Sequence, residues 1–245
     1  LTLIASPIEE IINREELSEE GQENIQLAKK NTDRMLRLIN QLLDFRKIQN
    51  NKMKLYIEQA DVVTLSKKIY DNFTGLAHQR NIGFHFVCSY DNYTLYTDID
   101  KLEKILFNLL SNAFKYTPDG KNIDLILEFK EKNLLIKVKD EGNGIELHKI
   151  DMLFKRFETL GQTDANLSSG IGLSLVKEWV DMLHGTITVD SKLGYGSTFS
   201  ISLPGEHEIF ESDKNVEFIL SDSESSMPMD SGITQNNEEA EGISV

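Results

Sequence analysis

Four polar clusters between residues 108 and 199 hold residue types that can do chemistry together. The first places Asn108, Asn112, Lys115 and Tyr116 on one stretch. On a helix these four fall within an arc of about 100°, while the neighbouring Leu109, Leu110, Ala113 and Phe114 fall mostly on the other side. Two amide oxygens, one ammonium and one phenol then share a face. An amide oxygen is a hard, neutral ligand, suited to Mg²⁺ already partly neutralised by phosphates. A lysine about 4 Å from a phosphate gains about 4 kcal/mol at an effective dielectric of 20. An ordinary solvated helix face has the same composition, so this cluster alone leaves both readings open.

The second cluster is Asp140, Glu141, Gly142, Asn143, Gly144 and Ile145, directly after an apolar alternating run. Two glycines let backbone approach a flat ligand. A carboxylate at a strand end accepts a hydrogen bond from an exocyclic amine, and bonds to charged groups contribute about 1.5–3 kcal/mol. That favours adenine over a base presenting a carbonyl at the same place, although a simple turn has the same residues. The third cluster, Ser168, Ser169, Gly170, Gly172 and Leu173, opens a helix, where free N–H groups and the positive dipole end attract phosphates. The fourth, Gly194, Gly196, Ser197, Thr198 and Phe199, is by itself a hairpin. Between the second and third lies a long segment, residues 145–169, with Phe154, Lys155, Arg156 and Phe157. Loops of that length in compact domains are usually functional or disordered, and a lid over a nucleotide fits.

The surrounding elements follow from periodicity and capping. Leu1, Ile4, Ile8 and Ile11 predict a helix over 1–16, interrupted by Pro7. Ser18 is the expected N-cap of a second helix reaching about Asn50. Its Ile25, Ala28, Thr32, Met35, Ile39 and Leu42 form a heptad seam widened by Leu36, Leu38, Leu43 and Phe45. That width suits a four-helix bundle, which a homodimer of hairpins completes most economically; a hairpin packed on its own chain is the other reading. After a break at Asn50 the spacing predicts a strand over 55–59, a helix over 61–79, and short strands over 83–88 and 94–97. A helix capped by Asp98 or Asp100 comes next, ending near Tyr116. A hairpin spans Ile123 to Val138, and a helical patch is expected near Asp151–Phe157. A helix from Leu173 stops at Gly185, and two closing strands cover 186–190 and 198–203. The predicted class is α+β: a helical hairpin over residues 1–50, then an α/β sandwich with helices on one face of a mostly antiparallel sheet over 51–205.

The remaining residues, 206–245, read as an acidic linker or tail. They hold eleven acids and a single lysine, and account for most of the net charge of −14 on 245 residues; Val216 to Leu220 is the one stretch there able to order. The charge argues against direct nucleic-acid binding. No apolar run is long enough to span a bilayer, so no membrane contact is expected of these residues. The single cysteine, Cys88, excludes an internal disulfide and suits a reducing compartment.

The order and spacing of the clusters are much more specific than any one of them. They resemble the ATP-binding domain of sensor histidine kinases, within the wider family of gyrase, mismatch-repair and chaperone ATPases. Asn108–Tyr116 resembles the N box, Asp140–Gly144 the first glycine box, Phe154–Phe157 the F box, and Gly170–Leu173 and Gly194–Phe199 the later glycine boxes. The hairpin points to histidine kinases rather than the other ATPases. The resemblance implies that Asp140 binds the adenine amine and that Asn108 and Asn112 serve Mg²⁺ and phosphates. Lys115 and Tyr116 meet phosphate or ribose. Gly142, Gly144, Ile145, Gly170, Gly172 and Leu173 shape pocket and lid, and Thr198 lies near adenine. ATP and Mg²⁺ are the implied cofactors, and a second copy plus the receiver domain of a response regulator the implied partners. The whole protein would be an inner-membrane sensor with this part on the cytoplasmic face.

The family's phosphoacceptor pattern, His-Glu-x-x-x-Pro-Leu, is missing from the sequence. Leu1 to Ile4 resemble the residues just after that pattern's proline, so the acceptor is expected before residue 1. None of His78, His85, His148, His184 or His207 sits in such a pattern. Glu158 and Thr159 stand where related lids often place an arginine. Residues 3–9 resemble the first helix of hybrid regulators of gut Bacteroides type. Two rivals remain on the sequence alone: a Ser/Thr-directed kinase or ATPase of the same fold, and a non-catalytic dimerisation or docking module.

Overall fold

A computed structural model describes residues 2–14, 17–155 and 170–219. Two helices open the chain, α1 (Thr2–Arg14) and α2 (Glu19–Gln49). The Ser18 hydroxyl accepts from the Gly21 N–H at 3.2 Å, and Glu19 and Glu20 occupy the positive helix end. The helices lie against each other, with Lys29 Nζ 3.0 Å from Glu9. No residue of α2 is buried, although its seam is apolar. Its last turns meet the second part of the chain: Phe45 and Ile48 pack against the main core, and Asp44 pairs with Lys104 at 3.0 Å.

The second part contains β1 (Leu55–Asp61), α3 (Val62–Gln79), β2 (Gly83–Cys88), β3 (Thr94–Thr97) and α4 (Ile99–Tyr116). Next come β4 (Asn122–Lys130), β5 (Asn133–Asp140), α5 (Leu147–Ile150), α6 (Gly172–Met182), β6 (Thr186–Lys192), β7 (Gly196–Pro204) and β8 (Val216–Phe218). The main sheet has the order β2-β4-β5-β7-β6, with only the β2–β4 pair parallel. Alternation puts Ile123, Leu125 and Leu127, then Leu134, Ile136 and Val138, then Phe199, Ile201 and Leu203 into the core. Helices α4 and α6 supply Leu102, Ile105, Leu106, Leu109 and Leu110, and Leu175, Val176, Trp179 and Val180, all buried. Burying each such side chain stabilises by about 1.5–3 kcal/mol. The polar face of α4 is thereby held outward at one end of the sheet. Asp98 caps α4, accepting from Lys101 N–H at 3.0 Å, and its other oxygen accepts from Tyr56 N–H at 2.9 Å. The cap thus fixes the helix to β1 as well.

Three local expectations need correction. The helical patch near Asp151–Phe157 starts earlier, as α5. It continues to Lys155 only as tight turns, with Met152 N–H on Lys149 O and Lys155 N–H on Met152 O; Arg156 and Phe157 lie outside the described residues. Helix α6 does not stop on Gly185 alone. His184 takes the left-handed conformation (φ 56°). His184 and Gly185 donate to Asp181 O and Val180 O at 3.0 and 2.8 Å, a Schellman closure. Gly185 is needed for close packing, since a Cβ there would fall 2.6 Å from Ser202 O. Finally, residues 206–215, expected to be linker, pack on the sandwich, and Val216–Phe218, within the stretch expected to be able to order, forms a strand. Phe210 is 1% exposed, and β8 pairs in parallel with β1 to give a second sheet of order β3-β1-β8. Long-range burial of one aromatic, invisible to composition, holds this segment down.

Candidate nucleotide-binding site

The site sits where β5 ends against the last turns of α4. Asp140 is the final residue of β5 and is 7% exposed. Its Oδ1 accepts from Gly142 N–H at 2.8 Å, and its carboxylate also accepts from the backbone N–H of Ser197. Burial pushes the Asp140 carboxyl above the usual aspartate range, while these two donors pull partly the other way. Two N–H bonds leave lone pairs over on a carboxylate that has about four. The group can therefore take a further donor, which is what an adenine amine supplies.

The glycine loop after Asp140 is wedged between α4 and the β6–β7 hairpin. A Cβ on Gly142 would fall 2.7 Å from Tyr116 O, and one on Gly144 (φ +66°) 2.0 Å from Lys192 O. Asn143 N–H donates to Tyr116 O at 3.3 Å, and Asn143 O accepts from Gly194 N–H at 2.7 Å. Ile145 N–H donates to Ser191 Oγ at 2.8 Å. Any side chain at Gly142 or Gly144 would push the loop off both supports.

On α4, Asn108 Nδ2 donates to Lys104 O at 2.7 Å. Its amide oxygen lies beside Gly172, where a Cβ would come within 2.9 Å of it. The sequence-predicted Asn108 and the N-terminus of α6, with Gly172 and Leu173, are thus brought together. Asn108 and Asn112 are both half-buried. Their oxygens fit a hard cation in chemistry, but they carry no charge, so a divalent ion held there depends on phosphate oxygens for most of its field. Lys115 and Tyr116 reach the same end of α4. Lys115 Nζ donates to the Tyr116 hydroxyl at 3.1 Å and lies 4.7 Å from its ring centre, with Tyr116 exposed. Gly170 has φ +66° and leads into α6. Ser168, Ser169 and most of the expected lid lie outside the described residues.

Thr198 is not brought to the site. It pairs with Lys139 across β5–β7, whereas Ser197 pairs with Asp140. Side chains alternate along a strand, so Ser197, buried at 7% exposure like the core residues Phe199 and Ile201, shares the helix-covered face with Asp140. Thr198 points to the opposite face. Sequence reasoning missed Ser197 because the strand's start was set two residues late. The alternation Ser197, Phe199, Ile201, Leu203 was the signal that would have found it. Ser191 was missed too, having no motif of its own.

Behind α4, Lys104 links the site to the hairpin. It bonds Asp100 at 3.0 Å and Asp44 at 3.0 Å and lies 5.8 Å from the Trp179 ring centre. Burial disfavours its charge, but the two carboxylates outweigh that and hold its pKa above the usual lysine value.

Residues 97–207 match the histidine kinase-, DNA gyrase B- and HSP90-like ATPase family. The chain is 34% identical over 228 residues to a histidine kinase of Formosa agariphila, covering 91% of this chain and 17% of that protein. It is 37% identical over 216 residues to the sensor histidine kinase TmoS of Ectopseudomonas mendocina, covering 83% and 21%. The chain thus spans about a fifth of the length of these relatives. Among solved structures it is similar to full-length ShkA in complex with AMPPNP, with a TM-score of 0.69 at 23% identity, covering 82% of this chain and 42% of that one; at that identity the likeness is one of fold. With a matched domain over residues 97–207 and histidine kinases aligned along most of its length, this chain carries a histidine kinase-, DNA gyrase B- and HSP90-like ATPase domain and is similar to the sensor histidine kinases.

Proposed function

We propose that residues 51–219 form an ATP-binding catalytic domain and that the hairpin over residues 2–49 pairs with a second copy, making the chain the kinase core of a two-component sensor. The observation that carries this reading is Asp140: a carboxylate 7% exposed, bonded by two backbone N–H groups, and set between glycines that leave no room for a Cβ. Asp140 selects adenine by accepting from its exocyclic amine. Gly142 and Gly144 let the base lie against backbone. The N-terminal turn of α6 and Lys115 hold phosphates, and Tyr116 sits at the phosphate or ribose. A Mg²⁺ ion bound with the nucleotide would supply charge neutralisation at the phosphates, with Asn108 and Asn112 as its protein ligands. The reaction class is transfer of the γ-phosphoryl from ATP to a histidine nitrogen, and from there to an aspartate of a receiver domain. None of the five histidines in these residues is assigned as that acceptor.

The test is calorimetric titration with ATP and then GTP, each with Mg²⁺, on the chain and on Asp140→Asn. Saturable ATP binding, much weaker GTP binding and loss of ATP binding in the folded variant support the reading. Unchanged affinity in Asp140→Asn overturns it. Acid-labile, base-stable phosphate on an added acceptor distinguishes histidine transfer from serine transfer.

A further inference from the structure

Among the described residues, the Ser191 side chain reaches from the β6–β7 hairpin to the end of the glycine loop. Ser191 Oγ accepts from Ile145 N–H at 2.8 Å, donates to Gly196 O at 2.9 Å and lies 2.9 Å from Ser197 Oγ. The proton positions are fixed by elimination. A serine hydroxyl has one hydrogen and two lone pairs. A backbone carbonyl cannot donate, so Ser191 gives its hydrogen to Gly196 O. A backbone N–H cannot accept, so Ile145 occupies one lone pair. The third contact is then necessarily Ser197 donating to Ser191. Every donor and acceptor site on Ser191 is used, and the direction of the Ser197 hydroxyl is fixed with it.

These bonds connect the two walls that hold Asp140. Ile145 closes the loop that begins at Asp140 and supplies the Gly142 N–H to its carboxylate. Ser197 supplies the second N–H and faces Asp140 across the strand pair. Gly196, whose carbonyl takes the Ser191 hydrogen, stands so close that a Cβ on it would fall 1.9 Å from Asp140 O. Beside the Ser197 N–H on the Asp140 carboxylate, two further contacts at the joint are backbone on backbone, Gly194 N–H to Asn143 O and Gly144 against Lys192 O. They fix the loop's tip but not the rotation of Ser197 or the end of the loop at Ile145.

We propose that Ser191 is a positioning residue for base selectivity: its hydroxyl locks loop and hairpin into the one register that presents the free lone pairs of Asp140 to an adenine amine. The proposal rests on the nucleotide reading of the site. Ser191 touches no nucleotide. It acts through Ile145, Gly196 and Ser197. Without it, the carboxylate keeps its acidity but loses its fixed direction, and ATP and GTP become harder to tell apart.

The experiment measures ATP and GTP affinity by calorimetry, melting temperature, and hydrogen exchange at the Ile145 amide in the chain, in Ser191→Ala and in Ser191→Thr. Ser191→Ala is expected to weaken ATP about five- to tenfold, the loss typical of one or two hydrogen bonds, to change GTP much less, and to speed exchange at Ile145. Ser191→Thr keeps the hydroxyl on a residue that strands favour and is expected to restore both the ATP preference and Ile145 protection. A lower melting temperature in Ser191→Ala with an unchanged ATP-to-GTP ratio makes Ser191 a scaffold residue only and overturns the proposal. So does Ser191→Thr behaving as Ser191→Ala does while still folded. If Ser191→Ala fails to fold, the Ser191→Thr ratio and Ser197→Ala decide: Ser197→Ala removes one of the three bonds and is expected to give a smaller loss of the same ratio, and no change there overturns the proposal. A parent chain that binds neither nucleotide overturns the site reading itself, an outcome distinct from a parent that discriminates and a Ser191→Ala that still does.

Discussion

The hairpin and the sandwich solve the same problem differently. The sandwich buries its apolar residues within one chain: Leu102, Ile105, Leu106 and Leu110 of α4 are each fully enclosed. The hairpin has a comparable apolar pattern, yet Leu27, Met35, Leu42 and Leu43 are each about half exposed. An apolar stripe left open by the described residues calls for further cover, since helical stability comes mostly from packing rather than propensity. Polar chemistry divides the same way. In the sandwich, Asp140 is buried and oriented by backbone. On α2, the charges face outward, apart from Lys29, which pairs with Glu9 of α1, and Asp44, which is drawn to Lys104.

The largest test of this contrast is a matched pair of truncations. Leu109→Ala, at 1% exposure, is expected to destabilise the sandwich by about 2–5 kcal/mol, read by denaturant unfolding. Leu42→Ala is expected to cost well under that in dilute solution and to act instead on association. Leu42→Asp sharpens it: light scattering should show dimer mass falling to monomer, with nucleotide affinity retained. A monomeric parent, or a dimer untouched by Leu42→Asp, breaks the comparison.

Next in size, Asp140→Asn removes a bond to a charged group and is expected to weaken ATP by about 1.5–3 kcal/mol in calorimetry, while leaving the melting temperature within a few degrees or raising it. The pH dependence has a defined sign. Because burial raises the Asp140 carboxyl above its unfolded value, the folded state holds the proton more tightly. This group's contribution to stability is therefore fully present below the unfolded pKa and is lost as pH rises through the raised folded value. ATP affinity runs the other way, falling as pH drops through that value. Asp140→Asn should flatten both curves. An affinity profile in the parent that is already flat from neutral pH down to the ordinary aspartate range would rule this out. The smallest effect belongs to the hairpin's cap: Ser18→Ala is expected to cost about 1 kcal/mol, seen as reduced helicity by circular dichroism with nucleotide binding unchanged.

Much of the fold was legible in local sequence. Apolar spacing placed α2, α3, α4 and the β4–β5 hairpin within a residue or two, because side-chain periodicity is dictated by backbone geometry alone. Capping was legible for the same reason: Ser18 and Asp98 need only their own next turn to act. The clusters at Asn108–Tyr116 and Asp140–Gly144 could be named from residue type, since few side chains suit a hard cation or an exocyclic amine.

What tertiary structure alone decided is everything set by register or close approach. Ser197 rather than Thr198 faces Asp140 because β7 begins at Gly196 and pairs with β5 in one register; a shift of one residue turns every side chain to the other face. His184 takes a left-handed conformation because α6 must turn into β6 where Gly185 packs on Ser202. Phe210 ties down residues that composition reads as linker because it packs into the core formed by distant elements. Ser191 has no signature at all until the loop and the hairpin meet. The sequence determined which groups are available and which local elements carry them. Only the packed chain determined which of those groups face one another, because that depends on contacts between residues far apart in the chain.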